Sequence, residues 1–190
     1  HDLFFKLVNK YLKGNICEIG GGNNSILNKI NNFSKIKNFY CFDKNLKLKK
    51  KNNKITTIKK FFDKEFFRIN KNCKVDLLLH SHTFEHLYDP NQFLKDVHSI
   101  LSKNGKHIFT MPNMKPMIKK GYANAMNFEH PYYFDEKLVD CLLFKNNFKI
   151  IKKQLFKKDH SIMYVTEKNS FLSKTNKSKF KMYLEYKKNL

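Results

Sequence analysis

A short glycine-rich segment that follows an apolar run constrains the fold of this chain more than any other feature. Residues 16–25 read Ile-Cys-Glu-Ile-Gly-Gly-Gly-Asn-Asn-Ser, and the apolar residues Ile26 and Leu27 follow at once. An apolar run that ends in a glycine turn and opens into a helix is typical of the first strand, loop and helix of an α/β sheet. Backbone N–H groups at such a turn face a nucleotide-like ligand. The segment therefore predicts both a fold class and a kind of ligand.

The length of 190 residues is enough for one domain with its own core. No stretch approaches the ~18 consecutive apolar residues of a membrane span, and no charged start followed by an apolar segment marks an export signal. We expect a cytoplasmic protein without a membrane span; the sequence predicts no oligomeric state. The four cysteines form no Cys-x-x-Cys pair, so buried, reduced thiols are expected rather than a zinc site. They are Cys17, Cys41, Cys73 and Cys141.

The formal net charge of +22 raises nucleic acid as a partner, because neutralisation of phosphates dominates that kind of affinity. Arg68 is the only arginine, however, and arginine is the residue that bidentate recognition of phosphates and bases favours. The lysines are spread over every segment of the chain. We therefore favour a small anionic substrate, attracted by the positive field, over nucleic acid.

Apolar periodicity predicts five β–α alternations followed by two strands in succession. The predicted strands cover residues 16–19, 38–42, 55–58, 75–80, 106–111, 148–156 and 161–167. The predicted helices cover residues 2–13, 25–32, 46–51, 90–104 and 135–146. Residues 112–134 predict a long loop or broken helix, of the kind that usually carries function.

This order of elements predicts an α/β, Rossmann-like fold. We expect a mostly parallel seven-stranded sheet with an antiparallel closing strand and helices on both faces. A single domain is predicted over residues 1–167. Residues 168–190 predict a basic C-terminal tail or surface helix.

Polar residues stand where the predicted parallel strands end, and ligands of such sheets bind beyond the carboxyl ends of the strands. Asp43 closes the second strand, 25 positions after Glu18, where a carboxylate accepts hydrogen bonds from ribose hydroxyls. The ligand is therefore expected to contain a ribose. The other strand ends hold Glu18 with Gly20, Gly21 and Gly22, then Phe62 with Asp63, and Ser81 with His82.

The charge of the turn argues against a dinucleotide. Gly20-x-Gly22-x-x-Ser25 lacks the final glycine of the dinucleotide pattern, and Glu18 would repel a pyrophosphate. S-adenosylmethionine carries a sulfonium and an ammonium group and no phosphate, so an acidic strand end favours it.

These residues resemble the class I S-adenosylmethionine-dependent methyltransferases. Residues 18–22 look like their Glu-x-Gly-x-Gly motif, Asp43 like the acid that holds the ribose, and residues 81–90 like the stretch after the fourth strand. The resemblance covers roughly residues 14–167. It implies S-adenosylmethionine as methyl donor and S-adenosylhomocysteine as product. Two departures are Asn24, where many members have a third glycine, and Lys44, where an apolar residue often covers the adenine.

The cofactor site that the resemblance implies combines the turn, the ribose acid, candidates for adenine contacts and the end of the fourth strand. Phe62 and Asp63 are the adenine candidates. The full set is Glu18, Gly20, Gly21, Gly22, Asp43, Lys44, Phe62, Asp63, Ser81 and His82.

Residues 127–134, Asn-Phe-Glu-His-Pro-Tyr-Tyr-Phe, are similar to a segment of sugar methyltransferases in which a Glu-His pair lies over the substrate. The Tyr-His that precedes the pair there is Asn-Phe here. The similarity implies His130 as the catalytic base, with Glu129 orienting it or contacting the substrate. His86, Tyr132 and Tyr133 are the predicted substrate contacts, and no metal is predicted. The alternative is that the Glu-His pair only fixes a loop by hydrogen bonding.

The sequence favours methyl transfer to a small, anionic metabolite, such as a sugar or a phosphorylated intermediate of cell-surface polysaccharide synthesis. Three alternatives stay open. The charge is compatible with an RNA methyltransferase, and the pattern His80-x-His82-x-x-Glu85-His86 is compatible with a metal-dependent hydrolase using His80, His82 and His86. A catalytically silent binding domain is the third alternative. The sequence does not predict the accepting atom.

Overall fold

A computed structural model describes residues 2–22, 25–45, 52–70, 73–122, 128–156 and 160–169. Seven strands form one sheet: β1 (Gly14–Ile19), β2 (Ile36–Phe42), β3 (Ile55–Ile58), β4 (Val75–Ser81), β5 (Leu101–Pro112), β6 (Phe148–Leu155) and β7 (Ser161–Lys168). The helices are α1 (Asp2–Asn9), α2 (Glu65–Ile69), α3 (Pro90–Ile100), α4 (Met114–Lys119) and α5 (Glu136–Lys145). Two 3₁₀ turns lie at Ile26–Lys29 and Phe84–His86.

The strand order of the sheet is β3-β2-β1-β4-β5-β7-β6. All pairs from β3 to β5 are parallel, whereas β7 runs antiparallel to both of its neighbours. The predicted fold class, a mostly parallel seven-stranded sheet with an antiparallel strand near its edge, is confirmed. Because the chain order reverses between β1 and β4, their carboxyl ends border the crevice in which such sheets bind ligands.

The sheet is buried on both faces by separate apolar cores. Alternate residues of β4 point to opposite sides, with Leu78 in one core and Leu77 and Leu79 in the other. Helices α2, α3 and α5 cover the Leu78 side, and α1 with the first 3₁₀ turn covers the opposite side. A continuous apolar run is the pattern expected of a strand covered on both faces.

The predicted helix over residues 25–32 is wrong in its extent. Only the 3₁₀ turn Ile26–Lys29 forms, and Ile30 already has an extended backbone with φ −75° and ψ 120°. Two asparagines follow Ile30, and asparagine and β-branched residues have low helix propensity. The turn nevertheless buries Ile26, Leu27 and Ile30 against the sheet.

The predicted end of α3 at residue 104 is also wrong. The helix ends at Ile100, and β5 begins at Leu101. Gly105 lies inside β5 rather than stopping a helix. A Cβ atom there would stand 2.9 Å from the backbone oxygen of Val75, so the close approach of β5 to β4 requires the glycine. Helix α2 was not predicted, and its five residues are too few for apolar periodicity to reveal it.

Two expectations fall on residues outside the described ranges: the helix over 46–51 and the tail beyond residue 169. The domain boundary at residue 167 stays a prediction. All four cysteines are free thiols, two of them buried and two partly buried. Within the described ranges, every helix is too short or too polar to cross a bilayer.

Candidate active site

The glycine turn after β1 is held against the ends of two neighbouring strands. The backbone N–H of Gly20 donates to the carbonyl of Phe42 at 2.8 Å. Gly20 has φ +69°, and a Cβ atom there would lie 2.5 Å from Oγ1 of Thr83, which follows β4. Both the backbone conformation and the lack of space therefore require glycine at this position.

Glu18 supports the turn from inside the protein. Its carboxylate accepts hydrogen bonds from the Ser25 hydroxyl and, at 2.8 Å, from the backbone N–H of Ile26. The Cys41 thiol donates to it at 3.8 Å. Burial raises the pKa of Glu18 above its usual value, although the hydrogen bonds oppose that shift. The predicted cofactor residue thus fixes the shape of the turn.

Asp43 lies directly beside the turn, as the sequence predicts for a ribose acid. Its Oδ2 accepts from the backbone N–H of Gly22 at 2.8 Å, and its Oδ1 accepts from that of Asn45 at 2.6 Å. A carboxylate offers about four lone-pair sites, so acceptor capacity is left for hydroxyl groups of a ligand. The structure brings Asp43 and the glycines together.

A cleft of about 180 Å³ opens at the carboxyl ends of β1 and β4. Ligand pockets commonly measure about 300–1,000 Å³, so this cleft is smaller than the usual site of a whole nucleoside-sized ligand. Its lining residues are Phe4, Glu18, Gly20, Gly21, Ile26, Lys29, Ser81 and His82.

A larger hollow of about 300 Å³ lies between α2 and the end of α3. Its cations are engaged: Lys64 contacts Asp96 at 2.7 Å, and Arg68 contacts Glu65. It lies beside the start of β4, away from the strand ends where ligands of this fold bind. Volume alone therefore does not locate the site.

The residues at the end of β4 are tied to the neighbouring strands. The Ser81 hydroxyl lies 2.7 Å from that of Thr110. His82 adopts φ +50°, which is uncommon for a residue other than glycine. Its Nδ1 lies 3.4 Å from Glu85 Oε1, and its Nε2 lies 3.4 Å from the Ser161 hydroxyl. This conformation directs the His82 ring across the mouth of the cleft.

The three remaining cofactor candidates lie on the β3 side of the turn, and none is among the described residues that line the cleft. The Lys44 ammonium stands 3.9 Å from the centre of the Phe61 ring. Phe62 packs edge-on against Phe42 and Phe93 in the core. Asp63 accepts from the backbone N–H of Glu65 at 2.9 Å, at the start of α2. Their assignment to the adenine stays a prediction.

The second 3₁₀ turn and the loop over residues 128–134, here called the acceptor loop, meet beside the cleft. His86 Nδ1 lies 3.1 Å from the backbone oxygen of Glu129, and the rings of His86 and His130 are 4.9 Å apart. The Tyr132 hydroxyl donates to the backbone oxygen of Tyr88 at 3.1 Å. The predicted acceptor residues are thus brought together, and Glu129 makes its contact with His86 through the main chain.

Glu85 lies beside His130, a position that the sequence analysis did not predict for it. It is only 2% exposed, and its Oε2 is buried without a hydrogen-bond partner. The Nδ1 of His130 is likewise buried without a partner. Burial lowers the pKa of His130, although the Glu85 charge acts in the opposite direction. The adjacent pair Glu85-His86 was the available signal, but only the fold shows that the carboxylate faces inward.

The cluster of His80, His82 and His86, which the alternative of a metal-dependent hydrolase requires, is not formed. His80 is fully buried, its Nε2 lies 2.9 Å from Nε2 of His107, and its ring stacks between Phe84 and Phe109. Burial holds the pKa of His80 well below its usual value and lowers that of His107 to about 3. Both are therefore neutral core residues at neutral pH, because their strand positions point into the apolar layer.

Comparison with known proteins identifies the family of this chain. Residues 2–153 match the model of a family described as a methyltransferase domain. The chain belongs to this methyltransferase domain family. The sequence-based prediction of a class I S-adenosylmethionine-dependent methyltransferase is thereby confirmed. No curated protein matches the chain.

Solved structures share the fold of this methyltransferase. Magnesium protoporphyrin IX methyltransferase from Synechocystis PCC 6803, solved with bound SAH, has a TM-score of 0.62 at 14% identity, covering 88% of this chain and 81% of its own. An S-adenosylmethionine-dependent methyltransferase from Clostridium acetobutylicum ATCC 824 has a TM-score of 0.59 at 14% identity, covering 89% and 90%. The N-methyltransferase NodS from Bradyrhizobium japonicum WM9 has a TM-score of 0.59 at 13% identity, covering 88% and 93%. At such identities the likeness concerns the fold alone.

Proposed function

We propose that this methyltransferase methylates a small, anionic metabolite bound between the glycine turn and the acceptor loop. A sugar or a phosphorylated intermediate of cell-surface polysaccharide synthesis is the substrate class we favour. The observation that carries the proposal is the juxtaposition of Asp43 with the Gly22 N–H at the crevice, opposite a histidine cluster. The net charge of +22 attracts anionic substrates.

The residues present fit S-adenosylmethionine. Asp43 would accept from the ribose hydroxyls, and the backbone of the turn would border the amino-acid part in the cleft at Gly20 and Gly21. The carboxylate of Glu18 beneath the turn disfavours a phosphate and suits a ligand with cationic groups. When bound, the cofactor supplies a methyl group already activated on a positively charged sulfur.

The chain's own task is then to align the acceptor and to remove its proton. We assign the proton to Nδ1 of His130, which no protein group occupies among the described residues. With the cofactor bound, Nδ1 of His130 would take the proton that the acceptor atom loses as it gains the methyl group. Glu129 holds His86 through its carbonyl, and His86 packs against the His130 ring. Tyr132 and Tyr133 border the acceptor.

An RNA methyltransferase is the second candidate function. Phe128, in the acceptor loop, is 95% exposed, and Tyr88, whose backbone oxygen contacts the loop, is 86% exposed. Exposed aromatic rings on a basic protein stack with unpaired bases. The two candidates differ in their acceptor and share the cofactor site.

Labelled-methyl transfer assays distinguish the candidates. The purified protein is incubated with labelled S-adenosylmethionine and either a panel of phosphorylated sugars or bulk RNA, and the His130→Asn variant is the comparison. We expect label in a metabolite fraction, with transfer reduced by about 10²–10⁴-fold in the variant and with S-adenosylhomocysteine affinity unchanged. Label in RNA alone would refute the metabolite proposal. Undiminished transfer by the variant would refute the assignment of the base.

A further inference from the structure

Glu85, His86 and His130 form a cluster in which each residue offers one ligand atom. These three atoms lie within 4.8 Å of one another, and no other such group occurs among the described residues. The cluster adjoins the cleft through His82, which contacts Glu85 at 3.4 Å and also lines the cleft. The cluster therefore lies beside the cleft.

The hydrogen bonds of the cluster leave one atom available on each of the three side chains. Glu85 uses Oε1 for its contact with His82, while Oε2 is buried and has no partner among the described residues. His86 uses Nδ1 for the backbone oxygen of Glu129, which leaves the Nε2 lone pair. In His130, Nδ1 is buried and equally without a partner. A buried carboxylate oxygen without a donor is costly unless a ligand completes it.

We propose that Glu85, His86 and His130 bind one divalent transition-metal cation, with a coordination position open toward the cleft. Two imidazoles and one carboxylate are a ligand set of zinc sites with an open position. The outer contacts match as well, because the metal-binding histidine and carboxylate of such sites are each oriented by a further hydrogen bond. Here Glu129 orients His86, and His82 orients Glu85.

The ligand chemistry selects the kind of cation. Imidazole nitrogen suits zinc, cobalt and nickel, whereas magnesium and calcium prefer oxygen ligands. Tetrahedral bonds of about 2.0–2.1 Å require ligand atoms roughly 3.4 Å apart. The three ligand atoms, now within 4.8 Å of one another, must therefore approach each other when the cation binds. The positive charge of the chain opposes any cation, so affinity must come from coordination.

The cation and the proposed base use the same atom. A metal bound at Nδ1 of His130 takes the lone pair that would otherwise accept the proton of the substrate. In one molecule the two states exclude each other, so zinc is expected to inhibit transfer that depends on His130. The site itself does not rest on the proposed function, because cation binding is measured without cofactor or acceptor.

The test uses the full chain after dialysis against a chelator. Zinc is titrated by competition calorimetry, and cobalt is titrated by the visible absorption of its low-coordinate complexes. We expect one equivalent of each metal per chain. The variants Glu85→Gln and His86→Asn/His130→Asn should weaken binding by more than the roughly 10–100-fold that outer-shell changes cost.

His98→Asn is the matched control. The Nε2 atom of His98 is also buried without a partner, but this histidine lies on α3 and packs against Phe148. The control should bind metal like the wild type, and circular dichroism should show that every variant is folded. Equal stoichiometric binding by the wild type and the double variant, or no cobalt absorption, would overturn the proposal. Stimulation of methyl transfer by zinc would refute His130 as base and leave the metal site intact.

Discussion

The two sides of the crevice differ in how far the protein satisfies its own polar groups. On the cofactor side, Glu18 and Asp43 both accept hydrogen bonds from the backbone or side chains of the turn. On the acceptor side, Glu85 and His130 each leave a buried atom without a partner among the described residues. The two carboxylates of the cofactor side thus have hydrogen-bond donors within the protein. The described residues of the acceptor side keep buried polar atoms without a partner.

This difference shows how the chain divides its tasks. On the cofactor side, the hydrogen bonds of Glu18 and Asp43 hold the described part of the turn in one shape. A cluster with unused lone pairs stays receptive to a proton, a substrate hydroxyl or a cation. Four substitutions test whether this division holds. For three of them, the same replacement at a second residue of the same type, with different contacts, is the control.

The largest effect is expected for Gly20→Ala. The added Cβ meets Oγ1 of Thr83 at 2.5 Å in a backbone with φ +69°. We expect S-adenosylhomocysteine to bind at least about a hundredfold more weakly, which corresponds to roughly 2.7 kcal/mol. Calorimetric titration of the folded variant measures it.

Gly121→Ala is the control for backbone strain. Gly121 has φ +67°, and no described atom lies within 4 Å of the place where its Cβ would stand. Alanine at position 121 therefore introduces the same backbone strain as alanine at position 20, without a close contact. The variant should lose about 1–2 kcal/mol of unfolding free energy and bind S-adenosylhomocysteine normally. Equal cofactor affinity in the two variants would show that the close approach at Thr83 is unimportant.

A smaller loss is expected for Asp43→Asn. The amide oxygen still accepts from Gly22, but the charged acceptor for the ribose hydroxyls is gone, and hydrogen bonds to charged groups contribute about 1.5–3 kcal/mol. Affinity for S-adenosylhomocysteine should fall about tenfold to a hundredfold in the same titration. Asp76→Asn is the control, because Asp76 accepts from Asn15 N–H and the Ser102 hydroxyl at 2.9 Å each, near the start of β1. Reduced cofactor affinity in that control would point to a general loss of stability.

Buried polar atoms without a partner also occur in the described core beneath the site. The substitution His107→Leu tests whether these atoms behave differently from those of the acceptor side. Nδ1 of both His80 and His107 is buried without a partner in the described part of the chain. Their folded pKa values lie below the unfolded value of about 6.5, so the unfolded chain binds more protons in acid. Stability is then full above pH 6.5 and falls as the pH drops toward the folded pKa, near 3 for His107.

Removing one of the two imidazoles should flatten this dependence. Between pH 6 and 5, the slope of unfolding free energy should decrease by up to about 1.4 kcal/mol per pH unit. Urea unfolding of wild type and His107→Leu at pH 7, 6 and 5 measures it. Parallel curves for the two proteins would mean that the pair does not titrate on unfolding.

The smallest effect is expected for Tyr132→Phe. The variant loses the hydrogen bond from its hydroxyl to Tyr88 O, and an exposed bond of this kind contributes about 0.5–1.5 kcal/mol. Tyr133→Phe is the control, because both tyrosines are 43% exposed and no hydrogen bond of Tyr133 is found in the described part of the chain. Thermal unfolding should separate them by a few degrees, and proteolysis of the acceptor loop should be faster in Tyr132→Phe. Equal behaviour would show that the bond does not hold the loop.

The cofactor side could be predicted from the sequence because its constraints are local. A glycine turn needs positive φ at Gly20, and Asp43 follows directly from the end of an apolar strand. The parallel pairing of β1 with β2 then places the two strand ends side by side. Such a site lies at strand ends that can be recognised in the sequence.

The acceptor side could be predicted only in part. The inward orientation of Glu85 depends on packing against an acceptor loop more than forty residues later, and no spacing in the sequence encodes it. The alternative that used His80 as a metal ligand fails for a different reason, which the sequence does contain. Its position two residues after Leu78 already placed it on a core face of β4, which strand alternation predicts.

Two hydrogen bonds fix the acceptor loop, and a main-chain oxygen accepts each of them. The Tyr132 hydroxyl donates to the oxygen of Tyr88, and Nδ1 of His86 donates to the oxygen of Glu129. A carbonyl is present whatever side chain its residue bears. The two hydrogen bonds themselves therefore do not depend on which side chains stand at positions 88 and 129. A substitution of Tyr88, whose side chain is 86% exposed, can therefore alter the surface beside the loop and still leave an oxygen for the Tyr132 hydroxyl.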